Sequence, residues 1–444
     1  MSPRPVLLAA AVSVALCGTA SAQESEAATI RTDRANATYT IGSGARIAER
    51  LPAPTDTSDV ELQPRVVGWT GDRVPVAPEG FTVTKYADGL DYPRWLHQLE
   101  NGDVLVSEAR TAPQEDQTEV LDRSRAYGPS ANRITLLRDT DGDGTPDVRE
   151  VFATDLNQPF GMLQQGEWLY IAVTDGLWRY PYTAGQTRLE GEGEKILDLP
   201  AGGYNNHWTR NVVANADGSK LYVTVGSASN VGEYGMDEEA RRAAILEINP
   251  DGSGERIFAS GLRNPNGVDW EPTTGAMWTA VNERDEIGDD LVPDYITRVQ
   301  DGGFYGWPYA YYGQNVDTRI QPPRPDLAEK TLVPDFAVGS HTSAMSLNFY
   351  QGEQFPALYR GGAFVALHGS WNRRSFAGYK VLYVPFENGT PTGEAQTFLS
   401  GFITNDAGPD VYGRPTHIYG LRDGSLLLTD DAGDTVWRVA YTGG

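Results

Sequence analysis

The sequence predicts an all-β protein: a six-bladed β-propeller of four-stranded antiparallel blades around a central channel. Three observations carry this expectation. One pattern occurs six times, a turn residue or proline, an apolar run, a Gly-containing turn and a second β-rich run. The occurrences are roughly 50 to 80 residues apart, longer than minimal propeller repeats because loops are inserted. Helical periodicity is nearly absent, Met236 to Ala244 being the best helical turn. A pair of β-sandwiches would not explain six similar hairpins, whereas units that cannot bury both faces alone stack radially.

The six hairpins fall at Pro93–Ala109, Pro159–Val173, Arg210–Ser227, Asn264–Glu283, Thr342–Ser370 and Pro415–Ala432. In the fourth, Glu271-Pro-Thr-Thr-Gly275 separates the two apolar runs as a turn cluster. The main fold starts near Phe81 and takes residues 80–444 as one domain. Before it, residues 23–79 are polar and weakly periodic and read as an extended arm, with a strand at Ala37 to Ile41 and no chemistry. Residues 1–22 read as a secretory signal: Arg4, an apolar run from Val6 to Cys17, and the small-residue cleavage site Ala20-Ser21-Ala22. That run is short for a bilayer span, and no later stretch is long enough. A lipoprotein reading of Cys17 meets Leu16 where a small residue is expected. An exported, periplasmic protein is the expectation.

Cys17 is the only cysteine, so the mature chain has no disulfide, thiolate metal site or covalently attached haem. The formal charge of −24 becomes more negative by one when Arg4 leaves with the signal. So acidic a surface argues against nucleic acid or an anionic membrane as partner, and an anionic ligand would need a local cluster of arginines.

Two acidic stretches stand out. Asp139-Thr-Asp141-Gly-Asp143-Gly144-Thr-Pro-Asp147-Val-Arg-Glu150 fits the twelve-residue calcium loop, with oxygen donors Asp139, Asp141, Asp143, Asp147 and Glu150 and glycine at the sixth position. Its flanks are strand-like, so it reads as a structural calcium loop on a hairpin, against the alternative of a metal-free Asp/Gly turn. The second stretch, Asn282 to Asp290, mixes both charge signs at a strand end. It reads either as part of a binding mouth or as a solvated loop with internal ion pairs.

In a propeller, residues just outside the apolar runs converge on the channel. Blade by blade these are Gln158, His207, Arg263 with Asn264, the 282–290 loop, Asn372 with Arg373, and Arg414. Gly261-Leu-Arg-Asn-Pro-Asn-Gly267, the acidic loop and Gly302-Gly-Phe-Tyr-Gly-Trp-Pro308 occur in that order. In this the chain resembles the soluble quinoprotein sugar dehydrogenases, especially the L-sorbosone dehydrogenase-like branch, over roughly Phe81 to Tyr441. That family is six-bladed and oxidises sugars with pyrroloquinoline quinone (PQQ) and calcium.

The resemblance implies roles for the candidates. His207 matches the catalytic histidine, and a base with near-neutral pKa suits removal of a hydroxyl proton. Arg263 and Asn264 match the pair beside the quinone carbonyl, with Arg263 catalytic as well as cofactor-binding. Gln158 resembles the rim glutamine, and Arg414 resembles an arginine on the cofactor carboxylates. The lysine of the fifth blade has no match; Arg373, beside Asn372, is the substitute, since a planar fork suits carboxylates. A second departure is Ser227, which stands where relatives support the histidine with an aspartate; Asp175 or an acidic-loop residue is the expected replacement. A third is Arg284-Asp285, where relatives show Gly-Pro in the calcium loop; Glu283 and Asp289 are the expected donors. The reading is therefore a PQQ- and calcium-dependent dehydrogenase of a sugar or sugar-derived aldehyde, passing electrons to an external cytochrome or the quinone pool. Its rivals are a calcium-dependent propeller lactonase and a cofactor-free carbohydrate-binding propeller.

Overall fold

Among the residues that the computed structural model describes (40–112, 123–405 and 408–443), six sheets of four principal strands form the propeller. The proposed signal and residues 37–39 lie outside the described residues. Each sequence hairpin supplies the two innermost strands of one blade. Blade 1 is Pro93–Gln98, Val104–Glu108, Arg133–Arg138 and Val148–Ala153. The innermost strands of blades 2 to 6 are Met162–Gln165, Val212–Ala214, Asn264–Trp270, Ala344–Phe349 and Pro415–Gly420. Blade 6 is completed from the other end of the chain: Phe81–Ala87 pairs antiparallel with Thr435–Tyr441, Phe81 opposite Tyr441. This pairing closes the ring.

Side chains alternate across a strand, and here the alternation feeds two neighbouring blades. On Trp168–Val173, Leu169, Ile171 and Val173 pack towards blade 1, while Tyr170 and Ala172 pack towards blade 3. On Val104–Glu108, Leu105 joins blade 2 and Val104 and Val106 join blade 6. The same arrangement fills the remaining seams. The core is thus a circle of inter-blade layers, and each second strand is buried along its length apart from Trp168 at the start of the one in blade 2. A smaller cluster of Trp95, Ala109, Phe160, Trp208 and Met345 comes from four different blades. With His417, which stacks on Trp95 at 3.6 Å, it plugs the channel and floors the space above it.

The structure differs from expectation in two places. Met236 to Ala244 carries turns, and the α-helices among the described residues are the short Gly44–Ala48 and Pro325–Ala328. The arm is also built into the fold. Ile41–Ser43 adds a fifth strand to blade 4 through Phe336–Ser340, and residues 55–66 run across the loops of blades 4, 5 and 6.

Candidate active site

A cavity of about 440 Å³ opens where the innermost strands begin and their partners end. His207, Arg263, Asn264, Glu283 and Arg414 line it. Arg94, Asp285, Asp294, His341 and His368 line it as well.

His207 is delivered by the loop before the innermost strand of blade 3. Arg210, fully buried, holds that loop by donating to the carbonyls of His207 (2.7 Å), Thr209 (2.9 Å) and Pro200 (2.8 Å). Gly226 makes room at the end of the next strand: a Cβ there would fall 2.6 Å from His207 Cβ and 2.4 Å from Asn264 Oδ1. The His207 Nδ1 lies 2.8 Å from the Ser227 carbonyl oxygen, which can only accept, so Nδ1 carries the hydrogen and Nε2 is the basic atom. Backbone oxygen therefore orients the ring where a carboxylate was expected. Asp175 is engaged elsewhere, by Asn157 (2.9 Å) and Lys195 (3.2 Å). Burial, followed by the charge of Arg263, pushes the His207 pKa down to about 3. The imidazole is neutral at every physiological pH.

Arg263 is itself held firmly. It donates to Asn230 O (3.1 Å), Asn230 Oδ1 (2.9 Å), Glu283 O (2.7 Å) and Asp285 Oδ2 (3.2 Å). Asp285 also faces His341 Nδ1 at 2.9 Å, and Gly288 O faces Nε2 at 2.8 Å. Both partners are acceptors, so both ring nitrogens donate and His341 is an imidazolium. Burial opposes that charge, but the Asp285 hydrogen bond and charge hold the pKa above its ordinary value. Next to it, Asp294 is buried and its pKa is raised by desolvation.

The opposite wall joins blades 1, 5 and 6. Asp431, with no exposed surface, accepts from Arg94 and lies 2.9 Å from His368 Nε2. Burial works against its charge, yet His368 and Arg94 hold it well below the usual carboxylate range. Arg414 donates to the carbonyls of His368 (3.2 Å) and Gly369 (2.9 Å), which leaves further donors on its cavity side. Burial and then Arg414 lower the His368 pKa to about 4, so it is neutral. Arg94 and Arg414 are both permanent cations, and together they are the local arginine cluster an anion would require.

This chain matches the glucose/sorbosone dehydrogenase family over residues 174–374, and a TrAA12-like family over residues 326–442. An uncharacterized protein of Borreliella burgdorferi is 33% identical over 375 residues, covering 82% of this chain and 90% of that protein. The chain belongs to the glucose/sorbosone dehydrogenase family. Within it, the aldose sugar dehydrogenase YliI of Escherichia coli is 25% identical over 284 residues, 58% of this chain and 68% of the relative. Among solved structures, the holo form of the pyranose dehydrogenase PQQ domain from Coprinopsis cinerea superposes with a TM-score of 0.67 at 18% identity, covering 84% of this chain and 98% of that one. That likeness is one of fold.

The other expected residues of the family site lie away from the cavity. Gln158 turns back onto blade 1, its amide donating to Arg110 O at 2.9 Å. Asn372 is fully buried and grips the arm, donating to Thr57 O (2.9 Å) and Val60 O (2.7 Å). Arg373 donates to Asp289 O and pairs with Asp290 at 3.1 Å, while Arg374 pairs with Asp289 at 3.1 Å. The arginine expected for the cofactor is thus neutralised by Asp290, and the aspartate expected for the metal by Arg374. Glu283 lines the cavity, but its carboxylate faces Arg284 at 3.0 Å. The carbonyls of Glu283 and Asp285 are taken by Arg263 (2.7 Å) and Arg319 (3.0 Å). A donor set so fully engaged by cations does not fit a channel calcium. In the other acidic stretch, carboxylate oxygens of Asp139, Asp141 and Asp147 lie within 4.8 Å of one another, and Asp143 and Glu150 fall outside that group.

Sequence reasoning missed Arg94, His341 and Asp431. Arg94 and His341 had a readable signal, since Pro93-Arg94 and Ser340-His341 stand at the starts of blades 1 and 5 much as Arg263 does at blade 4. Asp431 had one only in retrospect, in the doubled Asp430-Asp431 ending a second strand.

Proposed function

We propose that this protein is an exported oxidoreductase that oxidises a sugar or a sugar-derived aldehyde with bound PQQ. The observation that carries the reading is the facing of a neutral, oriented histidine and an arginine corner across one cavity. The cavity is of the size that holds a cofactor and a small ligand. Arg94 and Arg414 would hold the carboxylates of PQQ, and Arg263 and Asn264 would contact it from blade 4. The residues fit such a group. Asn264 Oδ1, Asn282 Oδ1 and Arg94 Nε are buried with no partner among the described residues, and buried polar atoms ordinarily have one.

When bound, PQQ supplies the two-electron acceptor of the reaction. His207 Nε2 takes the substrate hydroxyl proton, its tautomer fixed by the Ser227 carbonyl. Arg263, immobilised by four hydrogen bonds, provides fixed positive charge where negative charge develops. The floor of Trp95, Phe160, Trp208 and Met345 closes the far side of the channel.

Calcium belongs, in this reading, to the Asp139–Glu150 loop as a structural ion. Export rests on the signal pattern of the first 22 residues, the acceptor of the electrons being external. The deciding experiment is reconstitution of quinone-free protein with PQQ, followed by dye reduction across a panel of aldoses and lactones. Quinone uptake with aldose-dependent dye reduction is expected. His207→Asn should keep quinone uptake and slow reduction by about 10²–10⁴-fold, the usual worth of a positioned base. Lactone hydrolysis with calcium alone would support the hydrolase rival instead.

A further inference from the structure

The arm preceding the propeller lies outside both family-matched segments, yet it forms part of the cavity wall through Glu61 and Gln63. Its path is set by three loops. Thr55 N donates to Ile287 O (3.0 Å), Leu62 N to Trp371 O (2.8 Å) and Val66 N to Arg123 O (3.0 Å). Asn372 ties it from beneath through Thr57 O and Val60 O while accepting from Glu286 N at 2.9 Å. Glu61 and Gln63, two residues apart, both line the cavity. Neither side chain hydrogen-bonds any described residue, although the segment carrying them is anchored at both ends. A carboxylate and a carboxamide on one wall, with no partner among the described residues, match the donor and acceptor pattern of adjacent sugar hydroxyls.

We propose that the arm is the substrate-recognising wall of this site, with Glu61 and Gln63 binding hydroxyl groups of a neutral sugar. The inference rests on the sugar-oxidising reading and adds to it which residues choose the substrate. Glu61, Glu233 and Glu286 together line the mouth, and such a rim disfavours sugars that carry a carboxylate. The arginine corner is built by other residues, Arg94 of blade 1 and Arg414 of blade 6, so cofactor and substrate are held by separate parts of the chain.

The test uses quinone-free, full-length protein, because Trp208 and Trp371 line the cavity and report sugar binding by fluorescence. D-glucose, D-xylose and maltose are the probes. Glu61→Ala and Gln63→Ala should each weaken binding of the preferred probe by about tenfold, the worth of a hydrogen bond to a charged or buried partner. Quinone uptake, read by absorbance, should be unchanged. Asn372→Ala should speed amide exchange over residues 57–63 and weaken the same sugar, showing that arm position is what matters. Glu61→Gln should narrow the preference for D-glucose over D-glucuronate about two- to fivefold, as loss of one exposed charge does. Folded arm variants that bind the preferred sugar as tightly as wild type overturn the proposal, as does a wild type that binds none of the three probes. A protein that binds sugar through the arm but takes up no quinone sinks the redox reading alone.

Discussion

The two acidic loops make an instructive pair. Both attracted a calcium reading, and they differ in what compensates their charge. In the Asp139–Glu150 loop the partners are mostly backbone amides: Gly142 and Gly144 donate to Asp139 (2.8 and 2.7 Å), and Thr140 donates to Asp147 (2.7 Å). Gly144, at φ +86°, takes a left-handed conformation that favours glycine and keeps the chain folded round its carboxylates. Among the described residues, only Glu150 of this loop has a cation, Arg188 at 3.6 Å. In the Glu283–Asp294 loop, Glu283, Asp285, Asp289 and Asp290 each meet an arginine. Acidic composition alone does not distinguish a metal site from an ion-paired scaffold; the provenance of the counter-charge does.

The sharpest way to break this comparison is to remove a counter-charge from the second loop. Arg284 has no exposed surface and serves Glu283 (3.0 Å), Asp317 (3.3 Å) and the carbonyls of Pro308 and Ala310 (both 2.7 Å). Arg284→Met should therefore strand the buried Glu283 carboxylate, while Asp317 keeps Arg319 at 2.8 Å, and cost about 3–5 kcal/mol. Denaturant unfolding checks this, and added calcium should not restore the loss. Rescue by calcium would mean that the vacated loop is a metal site after all.

A smaller effect belongs to the first loop. If it binds structural calcium, saturation at about 100 times the dissociation constant adds about 2.7 kcal/mol by mass action. Thermal unfolding across a calcium titration should show that increment in wild type and lose it in Asp141→Ala. Quinone uptake should be the same in both, because the loop joins the outer strands of blade 1, away from the cavity. A melting temperature indifferent to calcium would make both loops metal-free and leave their difference one of backbone against arginine.

How much of this was legible follows from range. The six hairpins are local: turn residues and period-two apolar runs specify them, and all six form the inner strands of blades. Closure by Phe81–Ala87 is not local, since nothing in that strand names a partner some 350 residues later. The same division runs through the site. Arg263 and Arg414 sit immediately before inner strands, Asn264 opens one and His207 lies in the loop leading to another, where the fold delivers a side chain to the channel. Gln158 and Arg373 occupy similar places in sequence, but local turns aim them elsewhere: Gln158 has φ +51°, and Arg373 meets opposite charge from another blade. Asn372 looked like a cofactor ligand because its partner, the arm, carries no pattern of its own.

The smallest effect concerns pH and connects the second loop to the base. Arg263 is anchored to that loop through Glu283 O and Asp285, and its charge is the second cause, after burial, of the depressed His207 pKa. For a base the active form is the deprotonated one. A pKa lowered to about 3 means that this form is complete well above that value and is lost only as pH falls through it. An unperturbed imidazole would instead halve the rate near pH 6.5 and lose about tenfold per unit below. The His207-dependent rate of quinone reduction, measured by rapid mixing at saturating sugar, should thus change less than about twofold between pH 8 and pH 5.5. Arg263→Met relieves the second cause but not the burial, so its acid limb should move towards neutrality without reaching 6.5. A wild-type limb already at 6.5 would show that the loop's charges do not reach His207, and would separate the scaffold from the chemistry beside it.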